Sequence, residues 1–165
     1  MQAMIETRYG NVLDLETGII VHGCNCQGVM GSGIALEVKN RFPLVFHEYE
    51  RIHRTQGLKL GTISYVEVAP NKFIVNAQTQ NLYGTEQRPM SYDAMVDCFE
   101  EVLKFARAIK THRNVKLDIN FPLIGAVRGG GRWDIIEKII DVIIPDDEFK
   151  KVLYRFEPTV GVEFL

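Results

Sequence analysis

Two short stretches of this chain gather the residues that could do chemistry. The first is His22-Gly23-Cys24-Asn25-Cys26-Gln27-Gly28-Val29-Met30-Gly31-Ser32-Gly33, and the second runs from Gly125 to Gly131; together they hold eight of the 14 glycines. Glycine lets a backbone approach a phosphate closely. A helix that starts just after such a loop adds unpaired N–H groups and a partial charge of about +0.5. Two such loops converging would grip two linked phosphates, whereas glycines that only make tight turns are the plainer reading. Neither loop is a known nucleotide fingerprint. Gly23 to Gly28 has the spacing of a Walker A loop but continues into Val29-Met30, with no lysine to reach a terminal phosphate. Gly31-Ser32-Gly33 is followed by Ile34-Ala35-Leu36, which breaks the dinucleotide pattern. Triphosphate hydrolysis and nicotinamide redox chemistry both lose support.

His22 is the histidine beside a glycine-rich loop, while His47, His53 and His112 fall on helical segments or at a helix end. An imidazole there could move a proton near neutral pH, activating water or protonating a leaving oxygen. The competing reading is a buried histidine hydrogen-bonded within the sheet. Cys24-x-Cys26 beside His22 lacks a fourth ligand at a suitable spacing, so no metal and no cofactor are expected. Cysteine also serves as a small buried hydrophobe.

Runs of aliphatic residues alternate with segments of helical period, which predicts an α/β layered fold. Ile19 to Cys24 is apolar on both faces, as a central strand covered on each side should be. Further strands are expected at Gly61 to Ala69, Lys72 to Thr79, Val115 to Phe121 and Lys150 to Phe156. Pro70-Asn71 makes a hairpin of two of these, so the sheet should be mixed. Ser91 can cap a helix whose apolar positions Met95, Phe99, Val102, Leu103, Ala106 and Ile109 recur at steps of three and four. Trp133 to Ile143 repeats that pattern until Pro145, and Ile34 to Arg41 and Leu44 to Thr55 read as two more helices about Pro43. Each glycine-rich stretch thus joins a strand to a helix, at the strand ends where ligands bind in α/β sheets.

Length and composition bound the rest. The 165 residues, 46% hydrophobic and 24% charged, fit one domain with a sizeable core, with a loose tail expected at 157–165. Nineteen basic against 21 acidic residues argue against sequence-specific DNA binding. Three cysteines and an early-charged N-terminus point to a reducing, cytoplasmic setting, and no apolar run approaches the roughly 20 residues of a membrane helix.

The stretch from His22 to Ala35 resembles the first phosphate loop of a macro domain. Gly10-Asn11-Val12 looks like that family's adenine-side element, and Ser91-Tyr92-Asp93-Ala94 like the start of its long helix. Ile124-Gly125 through Gly130-Gly131 with Trp133 looks like its second phosphate loop, and Val152-Leu153-Tyr154 like its last strand. The resemblance spans about Ile5 to Phe156 and lies closest to compact, stand-alone ADP-ribose 1″-phosphate phosphatases. It implies an α/β/α sandwich of three layers, with a mixed sheet of about six strands binding ADP-ribose across the strand ends.

Carried over residue by residue, the resemblance implies the following site. Cys26, Gly28, Met30, Gly31, Ser32, Gly33 and Ile34 would wrap the proximal ribose and pyrophosphate. Gly125, Ala126, Val127, Arg128, Gly129 and Gly130 would hold the other side; from residue type alone, Arg128 and Arg132 could tune affinity by pairing with phosphate, or be solvated loop arginines, the reading favoured for Arg132. Asn11, with Val12, would accept from the adenine amino group, although the family usually has aspartate there. Tyr154 would stack on adenine, or be a plain core or edge-strand tyrosine. Asn25 would orient the distal ribose, or make a local turn bond. His22 matches a histidine implicated in catalysis in the resembled phosphatases. A second branch of the family removes ADP-ribose from protein or nucleic acid, in some members with a lysine and an aspartate; here the nearest positions read Gln80 and Gly129, which argues against that mechanism but not against water-assisted hydrolysis by another route. A third reading, a module that binds ADP-ribose without turning it over, needs only the two loops.

Overall fold

In a computed structural model of the chain, residues 5–81, 90–126 and 129–156 are described. The expected tail, Val127 and Arg128 lie outside them. Six strands form one mixed sheet: β1 (Ile5–Tyr9), β2 (Gly18–Cys24), β3 (Ile63–Ala69), β4 (Lys72–Gln78), β5 (Ile119–Phe121) and β6 (Lys151–Arg155). Their spatial order is β1-β6-β5-β2-β4-β3. All neighbours are parallel except the β3/β4 hairpin, which turns at Pro70-Asn71 with Asn71 in the left-handed region, φ 57°. The helices are α1 (Gly33–Arg41), α2 (Pro43–Thr55), α3 (Tyr92–Arg113) and α4 (Trp133–Ile143).

Side-chain alternation on the central strand explains the layers. Ile19 and Val21 of β2 point into a core shared with Phe99 and Val102 of α3 and Ile136 and Ile140 of α4. Ile20 points the other way, to Val38 of α1 and Val45 of α2. Each fully buried aliphatic contributes about 1.5–3 kcal/mol, so a strand loaded on both faces commits the chain to helices on both. That is the three-layer α/β/α sandwich expected.

Two strand expectations need correction. Of Val115 to Phe121 only Ile119–Phe121 is strand. The preceding residues are the return from α3, whose C-cap Asn114 sits at φ 55°, ψ 39°. β1 was not anticipated as a strand at all: it is an edge strand with Glu6 and Thr7 exposed, and its short polar pattern carries little period-2 signal.

β2, β5 and β6 end at the same rim as β1 and β4, and the connections beyond those ends lead into α1, α3 and α4. The two glycine-rich stretches are therefore brought side by side at one edge of the sheet.

Candidate functional site

A cavity of about 310 Å³ opens at this rim, lined by Gly10, Asn11, Val12, Gly33, Ile34, Pro122, Tyr154 and Phe156. Five of the eight were expected, and they come from three distant parts of the sequence. Gly10 and Asn11 follow β1, Gly33 and Ile34 open α1, and Tyr154 lies on β6. The Tyr154 ring is half-buried and its hydroxyl accepts from Arg8 Nη1 at 3.3 Å. Phe156 stands 77% exposed at the mouth, an apolar ring held where a planar ligand could stack on it.

Beyond the cavity runs the first loop. Gly31, Ser32 and Gly33 are exposed, and Ser32, the N-cap of α1, makes no side-chain cap bond. The first N–H groups of α1 thus lack the partner that a capping serine usually supplies. The second loop closes on itself through Gly131 N–H to the Gly125 carbonyl at 2.9 Å. Met90 N–H donates to the Gly129 carbonyl at 3.3 Å, joining it to the segment before α3. Gly125 and Ala126 are half-buried, Gly129 is buried and Gly130 is exposed. Arg132 is exposed and paired with Asp134 at 2.7 Å, and α4, which it precedes, also starts without a side-chain cap.

Several expected site residues sit beneath this surface. Met30 packs with Cys24 and Tyr49 in a third small core, and Cys26 is buried, so both can meet a ligand only through their backbone. Burial pushes the Cys24 and Cys26 thiols up, which keeps them protonated and poorly nucleophilic. Asn25 spends its amide on the loop itself: Oδ1 accepts from Gln27 N–H (2.9 Å) and the Tyr49 hydroxyl (2.7 Å), and Nδ2 donates to the Val29 carbonyl (2.8 Å). The local turn bond, one of the two readings of this residue, is present.

His22 makes the contacts of a histidine hydrogen-bonded within the sheet. It is fully buried on the face of β2 that meets α1 and α2, and its Nε2 donates to Asn76 Oδ1 at 2.6 Å. Asn76 in turn donates to Ser64 Oγ at 3.1 Å, so a polar row crosses β2, β4 and β3 in register. Desolvation pushes the imidazole down to about 4. The ring enclosed in this row is neutral near pH 7 and is not among the residues that line the cavity.

What the sequence reading missed is the part played by α2. Tyr49 donates from its buried hydroxyl to the Asn25 carbonyl oxygen as well as to its side chain, both at 2.7 Å. One turn later the His53 ring lies against Gly28, where an added Cβ would come within 2.6 Å of it and φ is +79°. Two side chains of one helix face thus mould the first loop from below. A glycine at position 28 facing an aromatic four residues after Tyr49 was the available signal, and it becomes readable only once α2 is known to run towards the same rim.

The profile of the Macro domain family matches residues 21–140. An uncharacterised 17.5 kDa protein of Enterobacteria phage T4 is 33% identical over 144 residues, 84% of this chain and 86% of the phage protein. An ADP-ribose 1″-phosphate phosphatase of Scheffersomyces stipitis is 29% identical over 144 residues, 76% of this chain and 83% of its own length. A DNA ADP-ribosyl glycohydrolase of Mycobacterium tuberculosis is 27% identical over 139 residues, 82% of this chain but only 37% of the glycohydrolase. Among solved structures, the macrodomain of Mycobacterium tuberculosis DarG superposes with a TM-score of 0.77 at 24% identity, covering 96% of this chain and all of that one.

Proposed function

We propose, from the premise that this chain belongs to the macro domain family, that it binds ADP-ribose along the carboxyl rim and hydrolyses ADP-ribose 1″-phosphate to ADP-ribose and inorganic phosphate. The observation that carries the binding part is the cavity between Asn11 and Ile34, which takes in Gly33 of the first glycine-rich loop at the uncapped start of α1 and Pro122 on the approach to the second. In this reading the adenine enters between Tyr154, Phe156 and Ile34. The diphosphate then lies over Gly31 to Gly33 and the second loop, where N–H groups need no lysine to hold it.

For the reaction, a water oxygen bonds to phosphorus as the bond from phosphorus to the 1″ oxygen breaks. The proton lost by water ends on the sugar oxygen, and loop N–H groups stabilise the negative charge that develops. His22 and Asn25 serve here by holding the floor and shape of the first loop. Support for the phosphatase over removal of ADP-ribose from protein or nucleic acid comes from Gln80 and Gly129, the positions nearest to the lysine and aspartate that some members of that branch use; their identity argues against that mechanism, though not against water-assisted hydrolysis by another route. The phosphatase relative is also matched over most of its length.

One assay matrix tests this: wild-type protein in chelator against ADP-ribose 1″-phosphate, ADP-ribosylated DNA and ADP-ribosylated protein, with binding of ADP-ribose followed by calorimetry. Phosphate release from the first substrate is the expected result. Turnover of ADP-ribosylated DNA or protein alone would assign the glycohydrolase reaction instead, and binding without any turnover would leave a recognition module. No detectable binding at millimolar ADP-ribose would sink the reading altogether.

A further inference from the structure

Asn11 lies in the wall of the cavity, yet neither end of its amide is free to choose its orientation. The oxygen accepts from Leu13 N–H at 3.0 Å, capping the 3-10 turn Val12–Asp14. The nitrogen donates to Glu37 of α1, at 2.8 Å to one carboxylate oxygen and 3.2 Å to the other. Glu37 is braced in turn by Arg41 Nη1 at 3.5 Å, and Arg41 pairs with Asp14 at 2.9 Å. Asp14 belongs to the turn that Asn11 caps, so the bonds form a closed ring between the first connection and α1. Swapping the amide would set its oxygen against a carboxylate and its NH₂ against an N–H, two repulsive contacts in place of two bonds.

A locked amide presents its outer edge as one acceptor and one donor in a fixed order. That order matches a purine bearing a 6-amino group beside an unprotonated ring nitrogen, the bidentate asparagine–adenine pairing. A 6-oxopurine offers either two acceptors, or an acceptor and an N–H in the reverse order. Resting on the ADP-ribose reading above, we infer that Glu37 is a positioning residue for base specificity. By holding the Asn11 amide in one orientation it makes the cavity prefer a 6-aminopurine to a 6-oxopurine. Arg41 and Asp14 serve the same lock at one remove.

The test is calorimetric titration with ADP-ribose and with its hypoxanthine counterpart, inosine diphosphate ribose, on the wild type, Glu37→Met and Glu37→Gln. Wild type should favour ADP-ribose by about tenfold or more, as a bidentate base contact does. Glu37→Met should bring that ratio close to one, mainly by losing ADP-ribose affinity, because a thioether cannot hold the amide. Glu37→Gln should keep most of the preference, since its carbonyl oxygen still accepts from Asn11. An unchanged ratio in Glu37→Met, or an equal loss for both ligands, would overturn the inference. Wild type that binds both ligands equally well would overturn it alone. Wild type that binds neither would take down the ADP-ribose reading and this inference with it.

Discussion

At the amino ends of the parallel strands charged side chains are closed against one another, whereas at the carboxyl ends two helices start without a side-chain cap. Lys151 opens β6 with its ammonium 1% exposed, donating to Asp141 at 2.8 Å, to the Ile144 carbonyl at 2.7 Å and to Asp146. Lys72 opens β4 and donates to the Leu13 carbonyl at 2.8 Å, and Arg113 joins Glu67 of β3 to Asn71 of the hairpin. Across the sheet, α1 and α4 begin behind glycine-rich loops without side-chain caps. α3 starts at that same rim but is capped by Ser91, whose hydroxyl accepts from Ala94 N–H at 3.1 Å. Stability is thus invested at one rim and along α3. Open donors at the other rim are a cost that a bound anion would offset.

The sharpest way to break this division is to fill the open rim. Gly33→Glu puts bulk and negative charge at the cavity wall beside the α1 N-terminus, and should abolish ADP-ribose binding in calorimetry. Gly33→Ala is the control: it carries the strain of the left-handed φ of 59°, about 1–2 kcal/mol, without the charge, and should still bind. Retained affinity in Gly33→Glu would place the phosphates elsewhere.

At the opposite rim, Lys151→Ala should cost about 1–3 kcal/mol in urea denaturation, chiefly by leaving the buried Ile144 carbonyl without its donor, since Asp141 and Asp146 keep access to water. Any protein still folded should bind ADP-ribose with wild-type affinity. A loss of affinity in the folded fraction would show that the two rims are coupled.

The buried row under the first loop gives a pH signature. Because burial holds His22 at about 4, below its ordinary 6.5, the unfolded chain binds more protons than the folded one between those values. Stability is then complete above pH 6.5 and declines by about 3 kcal/mol as pH falls towards 4. In His22→Gln that part of the slope should vanish, even if the variant is less stable throughout. A slope unchanged by the substitution would mean that His22 is charged in the folded protein.

The smallest effects contrast two serines. Ser91→Ala should destabilise by about 1 kcal/mol through the lost cap. Ser32→Ala, whose hydroxyl caps nothing, should leave the denaturation midpoint unmoved. Equal losses at both sites would erase the distinction between a helix end used for folding and one left open.

Much of this was legible in the chain because the signals are local. The four helices and the Ser91 cap follow from period and residue type, and the glycine clusters mark the two loops wherever the strands end. β1 escaped because an edge strand with Glu6 and Thr7 outward has no apolar period to read. His22 could be read two ways from sequence, since an imidazole at the end of a strand is equally compatible with a cleft and with a core. Its partner in the sheet is Asn76, 54 residues away and opposite it in the register.

Residue types and spacings therefore determined the layers, the mixed sheet and which backbone segments can hold phosphate, because burial period and glycine content act within a few residues. Side-chain roles were decided by tertiary structure alone. Tyr49 bonds Asn25, His53 covers Gly28 and Glu37 locks Asn11 across separations of about 24 to 26 residues, on helices whose rotation about their axes the sequence does not state. A hydrogen bond is made or lost over less than an ångström, and only the packed sheet and helices set distances that finely.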